Sequence, residues 1–147
     1  MVIDKTGDLS GRFPHLKRSN YRICSPESKQ YNCISWAAGW TDVFCWPNNL
    51  SFWPLTYPCE DTEDAFVKFF AMLGYKPCEN ENQEKEVEKI ALYTQGNRVK
   101  HAARQLKNGK WTSKLGSSFD IEHELKDLEG DKYGKVVLYL RRPIQAS

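Results

Sequence analysis

Long hydrophobic runs are missing from this 147-residue chain, and none approaches the ~20 apolar residues that a membrane-spanning helix needs. The start, Met1-Val2-Ile3-Asp4-Lys5-Thr6-Gly7-Asp8, is polar almost at once and lacks the apolar core of a signal peptide, so a cytoplasmic location is expected, with export by a dedicated system as the other route. No Cys-x-x-Cys pair occurs. The five cysteines, Cys24, Cys33, Cys45, Cys59 and Cys78, are spaced by 9, 12, 14 and 19 residues, which matches no zinc ribbon or finger. An odd count without a secretory signal also argues against a disulfide framework. Charge of one sign is absent too, since a net +2 makes no electrostatic case for nucleic acid. The one basic run, Arg98, Lys100, Arg104 and Lys107, reads as one side of a strand, and Glu84-Lys85-Glu86-Val87-Glu88-Lys89 alternates sign like a solvated face.

What is present is enough for one domain spanning residues 1–147. Hydrophobic content of 40% and aromatic content of 13% suit a packed core rather than a disordered chain. Residues 1–30 read as an irregular lead-in broken by Gly7, Gly11, Pro14 and Pro26, with His15 at the surface. The helical part, residues 31–74, starts with a short helix over 33–40 that Asn32 caps and Gly39 ends. From Trp40 to Cys59 the prolines and the Asn48-Asn49 pair predict a long ordered loop. With Trp36 of the preceding helix, its rings place four of the five tryptophans within about twenty residues. They form either an aromatic mini-core over the first helix or a ring-lined binding groove. Glu60 to Asp64 opens a second helix, whose Ala65, Phe66, Phe69, Phe70 and Leu73 recur at helical spacing until Gly74 closes it.

Residues 87–143 carry strand signals. Strands are expected over 87–93 and 99–106, followed by an Asn108-Gly109 hairpin turn and a returning strand from Trp111. Asp120 to Leu128 reads as a short amphipathic helix capped by Asp120, and Val136 to Leu140 as the last strand. The resulting class is α+β, with an N-terminal helix packed on an antiparallel sheet of about four strands.

The stretch with the strongest chemical content is Tyr31-Asn32-Cys33-Ile34-Ser35-Trp36-Ala37-Ala38. Cys33 falls in the first helical turn, where unpaired N–H groups favour a thiolate. A thiolate becomes a useful nucleophile when an imidazole can shuttle its proton, and His101 on a rigid strand is the candidate base. The third group, which would hold the imidazole tautomer, is Asp120, Glu122 or His123; Asp120 serves equally well as a helix cap, and His123 competes for the base role. Asp120-Ile121-Glu122-His123 lacks the second histidine of a His-Glu-x-x-His metal site. Asn32, Trp36, Trp46, Trp53, Trp111 and Ser113 are the candidate substrate-binding residues.

Tyr31-Asn32-Cys33-Ile34-Ser35-Trp36-Ala37, His101-Ala102-Ala103-Arg104-Gln105-Leu106, Gly109-Lys110-Trp111-Thr112-Ser113-Lys114-Leu115-Gly116 and Asp120-Ile121-Glu122-His123 together resemble a small uncharacterised bacterial domain family, over residues 20–143. That resemblance implies no activity. A looser one, carried by Asn32-Cys33 and the strand with His101, is to papain-like cysteine hydrolases of the NlpC/P60 and CHAP type. It implies a papain-like fold and a peptidase or amidase working through a thioester, with the Cys33 amide in an oxyanion hole. Such an enzyme takes a peptide or protein substrate and needs no cofactor, metal, nucleic acid or membrane. The other expectation is a non-catalytic module that recognises a protein or small ligand through the tryptophan-rich loop, with Cys33 and His101 in the core.

Overall fold

The computed structural model describes residues 22–25, 31–41, 44–47, 53, 61–115, 120–130 and 132–144. The expected surface position of His15, most of the tryptophan-rich loop and the side chain of Cys24 lie outside them, as does Cys59.

One antiparallel sheet dominates. Its seven strands are β1 (Arg22–Ser25), β2 (Lys76–Cys78), β3 (Val87–Gln95), β4 (Arg98–Gln105), β5 (Trp111–Lys114), β6 (Asp120–His123) and β7 (Lys135–Pro143), in the order β1-β6-β5-β4-β3-β7-β2. Every neighbouring pair runs antiparallel. Helix is limited among the described residues to α1 (Cys33–Ala38), α2 (Glu63–Ala71) and a 3-10 turn at Leu125–Leu128. The molecule is therefore mainly β, which corrects the expected papain-like α+β arrangement with about four strands.

Two local readings account for the extra strands. Arg22–Ser25, expected as irregular lead-in, pairs with β6 as an edge strand. Asp120–His123, expected as the start of a helix, is itself a strand, with Lys114 opposite Asp120 and Ser113 opposite Ile121. Asp120 could cap a helix, but pairing with β5 overrides that local preference. Lys76-Pro77-Cys78 adds a short edge, where Pro77 is tolerated.

The other two helix signals correspond to helices. Asn32 caps α1, its side chain accepting from the Ser35 amide at 3.1 Å, and Gly39 ends it with φ of 88°. Thr62 caps α2, and Ala65, Phe66, Phe69 and Phe70 are its buried face. The Asn108-Gly109 pair turns β4 into β5, with Gly109 at φ of 87° and the Leu106 amide donating to the Lys110 carbonyl at 2.7 Å.

Alternation along β3 divides the interior in two. Ile90 and Leu92 join Ala102, Leu140, α1 and α2 on one face. Ala91 and Tyr93 join Ala103, Trp111, Leu115, Ile121 and Leu128 on the other. Within the first core Trp53 stacks on Phe69 at 4.8 Å, and Trp46 packs edge-on against Phe66 at 5.4 Å. Both rings thus pack on α2.

Candidate functional site

Cys33 sits at the first position of α1, against β4, and is 6% exposed. Burial pushes its thiol up to about 11, while the backbone of Ala102, Ile34 and Cys33 itself, followed by the charge of Lys114, works in the opposite direction. The charge that favours its thiolate is that of Lys114, on β5. Burial lowers the Lys114 pKa, and the nearby carboxylate of Asp120 and the thiol of Cys33 partly restore it.

Register explains the grouping. Lys114 and Thr112 share a face of β5, and their cross-strand partners Asp120 and Glu122 share the same face of β6. Tyr31 closes the group from the residue before the α1 cap. Its hydroxyl donates to Asp120 Oδ2 at 2.7 Å, and the Lys114 ammonium lies 5.0 Å from its ring centroid. Asp120 is fully buried, yet its Oδ1 makes no hydrogen bond. Glu122 accepts from Asn108 Nδ2 at 3.3 Å and stands farther along the ribbon. Trp36 anchors α1 to the same ribbon by donating Nε1–H to Thr112 Oγ1 at 3.0 Å.

Asn32 organises the approach. Besides capping α1 it donates Nδ2–H to the Cys45 carbonyl at 2.6 Å and accepts from the Cys45 amide at 3.2 Å and from Ser35 Oγ at 2.7 Å. That pins the aromatic loop across the helix start. The Cys45 thiol, also buried, is pushed up to about 11 by its surroundings despite a hydrogen bond with Ser35.

His101 belongs to the opposite face. Its ring stacks on Tyr133 at 4.0 Å with planes 7° apart and meets Tyr93 edge-on at 5.2 Å. Both ring nitrogens are buried without a hydrogen bond, so neither touches Cys33. Burial drives the imidazole well below its usual pKa, and the neighbouring His123 adds to that. His123 and Ser113 also lie there. Ser113 Oγ and His123 Nε2 are 2.6 Å apart, and His123 Nδ1 is 2.7 Å from the Glu124 carbonyl. Because that carbonyl can only accept, the proton resides on Nδ1 and Ser113 donates to Nε2. Burial lowers His123 to about 4.

The expected site residues thus fall into three places. Cys33, Asp120, Glu122, Asn32 and Trp36 gather between α1 and the sheet. His101, His123, Trp111 and Ser113 lie on the other side of it. Trp46 and Trp53 pack on α2. Lys114 was not among the expected residues. The signal for it was available, since an alternating Thr112-Ser113-Lys114 strand beside Asp120-Ile121-Glu122-His123 pairs a lysine with an acid.

No group of three or more His, Cys, Asp or Glu among the described residues could hold a metal ion. No helix among them is long and apolar enough to cross a membrane.

The fold is thus an antiparallel seven-stranded sheet, with an amine and a carboxylate on the face that one short, thiol-bearing helix covers. The family described as a domain of unknown function, DUF7689, matches residues 22–141, and the chain belongs to it. No curated protein matches the chain, and no solved structure does.

Proposed function

We propose that the domain is a thiol-dependent hydrolase of amide or isopeptide bonds, with Cys33 as nucleophile and Lys114, not His101, as its proton partner. The observation that supports this reading is that Lys114 and Asp120 share the face of the β5–β6 ribbon that Tyr31 and α1 cover, with Cys33 as the first residue of α1 and with an Asp120 oxygen that makes no hydrogen bond. A lysine whose pKa burial lowers can act as a general base, as serine–lysine pairs do elsewhere.

The steps balance with these groups alone. The Cys33 S–H proton passes to the neutral Lys114 amine as sulfur bonds to the substrate carbonyl carbon. The C–N bond then breaks, and the Lys114 ammonium protonates the departing amine. Water attacks the resulting thioester, giving a proton to Lys114; the C–S bond breaks to release the carboxylic acid, and the Lys114 ammonium returns its proton to the Cys33 sulfur. Asp120, held by Tyr31, stabilises the ammonium while it carries the proton. A peptide or protein conjugate supplies the bond to be cleaved.

Limiting iodoacetamide across pH 6–10, read by peptide mass spectrometry, tests the assignment. Cys33 is expected to be modified faster as pH rises, to slow in Lys114→Met, and to be unchanged in His101→Phe. A Cys33 that stays unmodified while half-buried Cys78 reacts, or a rate that follows His101 and ignores Lys114, overturns it.

A further inference from the structure

A cavity of about 560 Å³ lies at the end of the sheet, between the Glu84–Glu88 segment and the end of β4. Its apolar lining comes from Val87, Leu106 and Ile144, and the rest of the lining is polar or charged. Most of the acids there already have partners. Glu84 is bound to Lys89 at 2.8 Å and to Arg141 at 3.3 Å, and Glu88 to Arg142 at 2.6 Å. The cations are in the opposite condition. No described carboxylate forms an ion pair with Lys85, Lys107 or Arg104, and only Glu86 stands against them.

Arg104 is the best placed of the three. Its guanidinium carbon lies 5.3 Å from the centroid of the Trp36 ring, a cation–π contact that holds it over the indole. Trp36 is fixed in turn by its bond to Thr112. An arginine held over an indole, half-buried and without an ion-paired acid among the described residues, offers a planar set of donors that matches a carboxylate. An apolar lining beside it suits a hydrocarbon stem.

We propose that this groove binds an apolar carboxylate, such as the C-terminal end of a peptide, through Arg104, with Lys85 and Lys107 adding charge and Val87, Leu106 and Ile144 holding the stem. Charge complementarity selects the occupant, because the unpaired lining is cationic by two once Glu86 is set against the three cations. The site stands apart from the thiol and does not depend on Cys33 chemistry.

The test is a titration of 15N-labelled protein with hexanoate, its neutral counterpart hexanamide, and inorganic phosphate. Hexanoate is expected to shift the Trp36 indole N–H and Arg104 Nε–H resonances, hexanamide to leave them in place, and phosphate to act more weakly than hexanoate. Arg104→Met should weaken hexanoate binding by roughly tenfold or more, and Cys33→Ala should not change it. Equal shifts with acid and amide reduce the groove to an apolar patch and overturn the proposal. A response to phosphate alone, or no shift with any probe, overturns it as well. The acid–amide comparison needs no variant, so a poorly folding Arg104 substitution leaves it decisive.

Discussion

His101 carries an imidazole into the interior with no hydrogen bond on either nitrogen, stacked flat on Tyr133. A buried, unpartnered polar group is destabilising, and an apolar ring of similar shape removes that cost. His101→Phe should therefore keep the stacking and raise stability by ~1 kcal/mol at pH 7 in urea unfolding. A loss of stability instead would mean that the imidazole holds an interaction Phe cannot supply. Its neighbour His123 sets an acid limit. Both histidines have folded-state pKa values below the unfolded one, so the unfolded chain binds more protons as pH falls. Their contribution is complete above pH 6.5 and is lost as pH drops toward 4. From 6.5 to about 4, at about 1.4 kcal/mol per pH unit, His123 alone accounts for ~3 kcal/mol. Urea midpoints measured from pH 7 to pH 4 should fall accordingly, and less steeply in His101→Phe. A flat profile would show that neither ring is held neutral in the fold.

At the scale of elements, what could be read in the chain was what depends on neighbours in sequence. Asn32 and Gly39 bracket α1 by local chemistry, and Asn108-Gly109 is a turn for the same reason. Elements that depend on a distant partner were not legible. Arg22–Ser25 is a strand only because β6 lies beside it. The position of His101 was lost through a single residue. Strict alternation puts Val99 and His101 on one face, and Val99 does pack on the helix side. A β-bulge lets Val99 pair with Thr94 and His101 with Tyr93, so Lys100 is extra and His101 turns to the far side. No glycine in Arg98–Gln105 announces that bulge.

Two substitutions probe elements directly. Asn32→Ala removes the α1 cap and both links to Cys45, and should cost ~2–4 kcal/mol in urea unfolding. An effect below ~0.5 kcal/mol would mean that water replaces the amide there. At the entry to β7, Gly134 has φ of 77°, and a β-carbon would collide with the Thr94 carbonyl. Gly134→Ala should cost about 3 kcal/mol, because both the backbone and the close strand approach oppose it.

For the whole molecule, the sheet order places β3 between β4 and β7, with β1 and β2 at the margins. Amide exchange should be slowest in Ile90–Tyr93 and in the facing parts of β4 and β7, and fastest in β1 and β2. Uniform protection across all seven strands would mean that the edges open only with the centre. The β1–β6 pairing joins residues about a hundred positions apart in the chain, which predicts slow folding relative to helical domains of similar length.

The β5–β6 ribbon separates two chemistries by nothing more than side-chain alternation: Lys114 and Asp120 below α1, Ser113 and His123 on the reverse. If β5 and β6 were both turned over by one residue, the two inventories would trade places. The thiol would then face an imidazole and a hydroxyl, and the amine would enter an aromatic pocket. The acidity of one sulfur atom is thus a reporter of strand registration, and a pH titration of Cys33 can distinguish a correctly threaded molecule from a slipped one without any view of its shape.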